Sequence, residues 1–190
     1  MKSPNRCWII TDPIYIDYHD LEWGTPVRDD LRQFEFLVLE SAQAGLSWLT
    51  VLKRREGYRR LYEDFDPEKV ARFNEKHIRT MLQDTGIIRN RKKIEASVNN
   101  ARRFLEIREQ YGSFCNYFWG FNDGNQVINH FEKLSDLPVT TPLSDTISKD
   151  MKQRGFQFLG STIIYAHMQA TGLVNDHLID CFRHTECIEK

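Results

Sequence analysis

No apolar run in this 190-residue sequence approaches the roughly 20 residues needed to cross a bilayer, which argues against a membrane partner. The N-terminal stretch MKSPNRCWIITDPIYIDYHD is interrupted by Pro4, Asp12, Pro13 and Asp17 and lacks the apolar centre of a signal peptide, so the expectation is a cytoplasmic protein. Net charge is also lacking. At −1 it gives no global attraction to a polyanion, and any case for a nucleic-acid partner has to rest on local clustering. Cysteine is scarce: four residues in a reducing compartment point to metal binding or plain burial rather than a disulfide framework. Repeats, low-complexity tracts and Gly/Ser/Pro linkers are missing as well. What is present is 41% hydrophobic and 28% charged residues, the balance of a globular chain, and the length suits one unit spanning residues 1–190.

The apolar pattern is mostly helical, and the fold class it predicts is all-α. Phe34, Leu37, Val38 and Ser41 share one face between Asp29 and Ala44, and Leu49, Leu52, Tyr58 and Leu61 continue the period beyond Gly45. Asp66 with Pro67 forms a helix start, and Gly86 a stop. Asn90 caps a long amphipathic helix ending near Tyr111 and Gly112. A further helix begins at Ser144 or Asp145 and is stopped by Gly155, and another runs from about Ser161 to Thr171. The one extended stretch expected is Gln126 to Ile128, after the turn signal Asn122-Asp123-Gly124.

His177 and Cys181 are four apart, so on a helix they would project from one face and could chelate one ion. Alone, such a pair is equally a buried His beside a buried Cys. Cys7 and His19 near the other end complete a set of two thiolates and two imidazoles. Four protein ligands leave no open position, which makes the predicted zinc structural, a tie between residues 1–25 and 172–185.

Three of the four tryptophans lie between Trp8 and Trp48, together with Tyr15, Tyr18, Trp23, Glu22 and Glu40. Glu40 stands in Phe36-Leu37-Val38-Leu39-Glu40-Ser41-Ala42, apolar on nearly all sides. There it either reaches a solvated helix edge or receives hydrogen bonds from something bound. A pocket of Trp and Tyr rings with one carboxylate suits a flat, electron-poor, cationic ring bearing N–H donors, such as an alkylated purine.

SKDMKQRGFQFLG, residues 148–160, followed by Ser161 and Thr162, reads as a helix, a turn between Gly155 and Gly160, and a second helix start. Free amides at Gly160, Ser161 and Thr162, with Lys149, Lys152 and Arg154 nearby, would make a phosphate site; an ordinary α-hairpin reads the same way. Basic runs at Lys53-Arg54-Arg55, Arg59-Arg60 and Arg89 through Lys93 suggest positive charge gathered on a duplex-binding face.

Three motifs carry a resemblance: Tyr18-His19-Asp20-x-Glu22-Trp23-Gly24, Gln43-Ala44-Gly45-Leu46-Ser47-Trp48 and Gly172-Leu173-Val174-Asn175-Asp176-His177. From Cys7 to about Cys181 the chain resembles the bacterial type I 3-methyladenine-DNA glycosylases. The resemblance implies a helix-hairpin-helix-type fold and excision of 3-methyladenine from alkylated double-stranded DNA, by a monomer in the bacterial cytosol. It places the zinc ligands on Cys7, His19, His177 and Cys181, the base-reading carboxylate on Glu40, the stacking indole on Trp48, and other pocket aromatics on Tyr15, Tyr18 and Trp8. The loop Ala44-Gly45-Leu46 would enter the duplex where the damaged base leaves. Two departures stand out. Trp8 follows Cys7 directly, where the family has one residue between, and Asn175 occupies the place of the catalytic Asp of broader helix-hairpin-helix glycosylases. No lysine sits where a bifunctional enzyme carries its Schiff-base nucleophile, so no strand cleavage is expected. The competing reading is a DNA-damage-binding module without turnover; a zinc hydrolase is disfavoured by the filled coordination shell.

Overall fold

The computed structural model describes residues 4–9 and 11–188; the remainder of the proposed zinc segment, residues 1–3 and 10, lies outside the described residues. The fold is mostly helical: α1 Pro13–Leu21, α2 Asp30–Gln43, α3 Trp48–Leu52, α4 Arg55–Leu61, α5 Pro67–Val70, α6 Glu75–Gln83, α7 Arg91–Tyr111, α8 Phe114–Gly120, α9 Pro142–Gln153, α10 Ser161–Ala170 and α11 Arg183–Glu186. Among the described residues, none of these helices is long and apolar enough to cross a membrane.

The centre of the molecule is α2. Asp29 caps it by accepting from the Arg32 amide, and every residue from Gln33 to Ala42 is buried, because α3, α7, α8 and α10 all pack on it. Most polar side chains inside this run are matched to partners, Glu40 being the exception: Gln33 donates to the Val27 carbonyl and pairs with His167. Helix α7 starts at Asn90, whose side chain accepts from the Lys93 amide, and ends where Gly112 takes φ +81°, a conformation suited to glycine.

The structure departs from the sequence expectations at four places. A helix, α1, forms where the sequence reading placed none: Pro13 occupies its first turn, capped by Asp12. The helix expected between Asp66 and Gly86 is two, because Asn74 caps a fresh start at α6. Helix α9 begins earlier than Ser144, since Thr141 and Ser144 form a reciprocal capping box around Pro142. The all-α expectation is also incomplete: β1, Val127–Ile128, pairs in parallel with β2, Val174–Asn175, a strand too short to leave a period in sequence.

Two apolar clusters result. The larger one holds α2, α7, α8 and the α9–α10 hairpin; the smaller gathers Cys7, Tyr18, Trp23, Phe36, Leu52, Leu178 and Cys181, with Trp8, Tyr15 and Trp48 at its margin. The site lies in the smaller cluster.

Candidate base pocket and metal centre

A cavity of about 220 Å³ is lined by Trp8, Tyr15, Tyr18, Trp23, Glu40, Gln43, Trp48, Leu137, Ala166 and Gln169. It is smaller than the roughly 300–1,000 Å³ of sites for drug-sized ligands, a size suited to one small ring system. Tyr18 and Trp48 lie 5.3 Å apart between ring centroids, Trp8 and Tyr15 5.8 Å, and Trp8 meets Trp23 edge-on at 4.7 Å. Thus α1, α2, α3 and α10, with the bend at Cys7 and Trp8, contribute walls.

Glu40 is 2% exposed, on the inward side of α2 rather than at a solvated edge. Burial alone pushes its carboxyl up to about 8. The Tyr15 and Tyr18 hydroxyls are raised too, first by burial and then by Glu40. Five buried side-chain polar atoms among the described residues have no hydrogen-bond partner, and three of them, Glu40 Oε2, Trp8 Nε1 and Trp48 Nε1, belong to residues of this one cavity. Buried polar groups are nearly always satisfied, so an acceptor and two donors left bare around one aromatic slot describe the shape of a polar, flat ligand.

Beside the cavity, Cys7, His19, His177 and Cys181 are all buried, with their ligand atoms within 4.8 Å of one another. Cys7 Sγ is 3.3 Å from His177 Nδ1, and Cys181 Sγ is 3.5 Å from His177 Nδ1 and 3.6 Å from His19 Nε2. A tetrahedral zinc with ordinary Zn–S and Zn–N lengths has S···N edges of about 3.6 Å, so the donor set fits that ion. The outer nitrogens are also fixed: His19 Nδ1 meets Asp20 Oδ1 at 2.8 Å and His177 Nε2 meets the Trp23 carbonyl at 2.9 Å, the partners that orient ligating imidazoles. Arg6 in turn holds Asp20 through two nitrogens. The mutual hydrogen bond of the two thiols pulls Cys181 down and pushes Cys7 up.

His177 and Cys181 meet as the spacing predicts, but not on a helix. The chain turns between them, closed by the Cys181 amide on the Leu178 carbonyl, because the Ile179 and Phe182 amides are spent on Phe131 and Asn5. Asp176 points away from His177; it receives Tyr165, Gln169 and Asn129 instead. Asn175 holds the His177 amide and donates to the His184 carbonyl.

The expected DNA-facing residues divide. Gly45 has φ +81° and open space around it, and Leu46 beside it is exposed. Gly155 takes φ +88° at the start of the α9–α10 turn, and Lys152 and Gly160 line a groove along it with Phe156, Phe158 and Leu159. Thr162 is exposed. Ser161 and Arg154 are differently engaged: the Ser161 hydroxyl donates to Asp145 at 2.5 Å, and Arg154 binds Asp150, Gln110 and the Tyr111 hydroxyl. Part of the basic runs is paired within the chain. Lys53 pairs with Asp12, Arg60 with Asp84 and Arg91 with Glu75 and Glu95. Arg55 bridges Glu22 and Glu35, and Arg59 also reaches Glu35. Lys93 is buried and donates to the Ala42 and Ala44 carbonyls at 2.9 and 2.6 Å.

The profile of the family described as methyladenine glycosylase matches residues 8–184. This chain belongs to the methyladenine glycosylase family. The family also supplies its relatives. The DNA-3-methyladenine glycosylase 1 of Escherichia coli K12 is 48% identical over 177 residues, covering 93% of this chain and 95% of that one. The structure of 3-methyladenine DNA glycosylase I from Staphylococcus aureus, which concerns 3-methyladenine recognition, superposes with a TM-score of 0.91 at 40% identity, covering 95% and 97% of the two chains. A variant of 3-methyladenine DNA glycosylase I in complex with 3-methyladenine gives 0.89 at 40% identity, covering 91% and 93%.

Within this family fold, sequence reasoning passed over Gln43, Leu137, Ala166 and Gln169 in the cavity wall and Glu35 at the centre of the arginine cluster, and read Lys93, which lies beneath the Gly45 loop, only as part of a basic run. Glu35 was in principle visible, since it is a second carboxylate in the same apolar run as Glu40. The others carry no signal of their own.

Proposed function

We propose that the cavity is the base-binding site of a DNA glycosylase that hydrolyses the N-glycosidic bond of 3-methyladenine in alkylated double-stranded DNA, releasing the base and leaving an abasic site. The observation that carries this reading is that Glu40 Oε2 and the Trp8 and Trp48 indole nitrogens, all without a partner, belong to residues lining one aromatic slot. A purine methylated at N3 is cationic in the nucleoside and departs neutral, so little acid catalysis is required. The enzyme's task is to unstack the nucleotide, hold the base, and let water reach the sugar. Trp48 and Tyr18 supply ring faces, Trp8, Tyr15 and Trp23 close the slot, and Glu40 accepts from the base N–H groups. Normal bases lack the positive charge these rings attract.

The α9–α10 pair acts as the helix-hairpin-helix, with Gly155, Lys152, Gly160 and Thr162 toward the phosphates and the α10 amides facing them. The Gly45-Leu46 loop fills the space the base vacates. Cys7, His19, His177 and Cys181 would hold zinc, which supplies a structural tie and no reacting water. The whole 1–190 chain works as one monomeric unit in the bacterial cytosol, without strand cleavage.

The test is incubation of the purified protein with methylated duplex DNA, identification of the freed base by chromatography, and gel analysis of the strand. The expected result is 3-methyladenine in solution and a strand that breaks only on alkali treatment. Damage-dependent binding with no freed base would instead establish the non-catalytic module. Glu40→Gln should release the base at least tenfold more slowly, and an unchanged rate would remove Glu40 from the mechanism.

A further inference from the structure

Gln169, near the end of α10, lines the cavity, and its carboxamide is held in one orientation. Its Nε2 donates to Asp176 Oδ2 at 2.7 Å. Asp176 is 1% exposed and is surrounded by donors: the Tyr165 hydroxyl at 2.5 Å on the same oxygen and Asn129 Nδ2 at 2.7 Å on the other. Both Asp176 oxygens are already acceptors for these donors, so turning the amide would set Gln169 Oε1 against an acceptor. Gln169 Oε1 is thereby left for the cavity, and among the described residues none donates to it.

We propose that Gln169 is a second base-reading residue, and that Asp176 is the positioning residue that fixes its polarity. With Glu40 it makes two acceptors in one slot. An adenine-type base offers an exocyclic amino group with two N–H bonds to satisfy both. A base carrying a carbonyl at that position, as in guanine or hypoxanthine, sets an acceptor against Gln169 Oε1 and is rejected. A site built to pair with a donor discriminates strongly against an analogue that lacks it, because its own polar group is then left unpaired. This assignment rests on the cavity being the 3-methyladenine site.

The test uses the full chain and two free bases that differ at this group, 3-methyladenine and 3-methylhypoxanthine, with binding followed by tryptophan fluorescence and kcat/KM measured on methylated DNA. Gln169→Leu should weaken 3-methyladenine binding roughly tenfold while changing 3-methylhypoxanthine by less than about twofold, so the preference narrows. Asp176→Asn, in which Gln169 is free to turn its amino group into the cavity, should improve 3-methylhypoxanthine binding at unchanged zinc content. Gln169→Met replaces the leucine variant if that one does not fold. Equal weakening of both bases, or no change in either, would overturn the assignment and leave Gln169 as packing. If the parent protein neither binds nor releases 3-methyladenine, it is the function of the cavity that fails, whereas an active parent with an unmoved preference refutes Gln169 alone.

Discussion

Glu40 carries two opposed demands. As a base reader it must face the slot without a protein partner, and as a buried carboxyl it is costly when ionised. With its folded value raised to about 8 from the usual 4.5, the unfolded chain gives up this proton above pH 4.5 while the folded chain keeps it until about pH 8. Stability is therefore lost as pH rises through that window, amounting to about 3 kcal/mol by pH 7. Glu40→Gln should accordingly be more stable than the parent in urea unfolding at pH 7, by roughly 1–3 kcal/mol, with the gap shrinking below about 1 kcal/mol at pH 5. A gap of the same size at both pH values would mean that ionisation of Glu40 is not its origin. The same titration predicts that kcat/KM of the parent rises with pH, is half-maximal near pH 8 and levels off above it, since that ratio reports the free enzyme. A profile flat between pH 6 and 8 would count against a carboxylate as the acceptor. The site thus trades stability for a bare acceptor, a common arrangement at functional positions.

At the scale of elements, the loop after α2 depends on a helix distant in sequence. Lys93, in the first turn of α7, caps the C-terminal carbonyls of α2 at Ala42 and Ala44, and burial lowers its pKa. Its charge sits where the α2 dipole is negative, directly before Gly45. Lys93→Met keeps the stem and removes the donor, so stability should fall by about 1–3 kcal/mol from the two bared carbonyls. Because the loop, not the slot, loses its support, kcat/KM on duplex DNA should fall at least fivefold while fluorescence titration with free 3-methyladenine stays within twofold. Loss of both together would place Lys93 in the pocket instead. Lys93 also shows what a sequence discloses and what it withholds. Helix α7 was legible because Asn90, Gly112 and a sustained apolar period agree, but nothing in Arg91-Lys92-Lys93 marks which of three cations turns inward. Helix α1 was obscured because Pro13 breaks a helix interior yet starts a helix after Asp12. Glu40 stood out as a charge in an apolar run, and Cys7, His19, His177 and Cys181 by donor chemistry. Gln169 and the bare indole nitrogens did not, since polarity fixed by Asp176 and absence of a partner are properties of packing. Which arginines of the basic runs are neutralised was hidden because Glu22 and Glu35, which pair with Arg55 and Arg59, lie far away in sequence.

Across the whole molecule, hydrogen bonds join the ends of the chain, and the proposed zinc would add a second tie. Hydrogen bonds tie Asn5 to Asp180, the Phe182 amide to Asn5, and the Gly24 and Val27 amides to Gln169 and Thr171. That second tie would be an ion held by Cys7, His19, His177 and Cys181, whose neighbours are the pocket walls: Trp8 packs on His19 at 4.8 Å and Trp23 on His177 at 4.5 Å, while Tyr18 precedes His19 in α1. A cross-link between such distant points constrains the unfolded chain by about 4–5 kcal/mol in the loop-closure account, reduced where other contacts already restrain the ends. Removing the ion by strong chelation, or truncating one ligand in Cys181→Ala, should leave a helical fold held by the first tie, with the melting temperature lower by about 10 °C for a chain of this size. Cys181→Ala should also retain clearly less than one zinc per chain by metal analysis. The rings would then lose their fixed edges, so affinity for 3-methyladenine should fall in the chelated protein and return when zinc is added back. The discriminating measurement is that return. If base binding is unaffected by chelation while the melting temperature drops, the ion holds the ends together and nothing more; if it falls and recovers with zinc, the clasp and the pocket are one structural unit, as the edge contacts of Trp8 and Trp23 require.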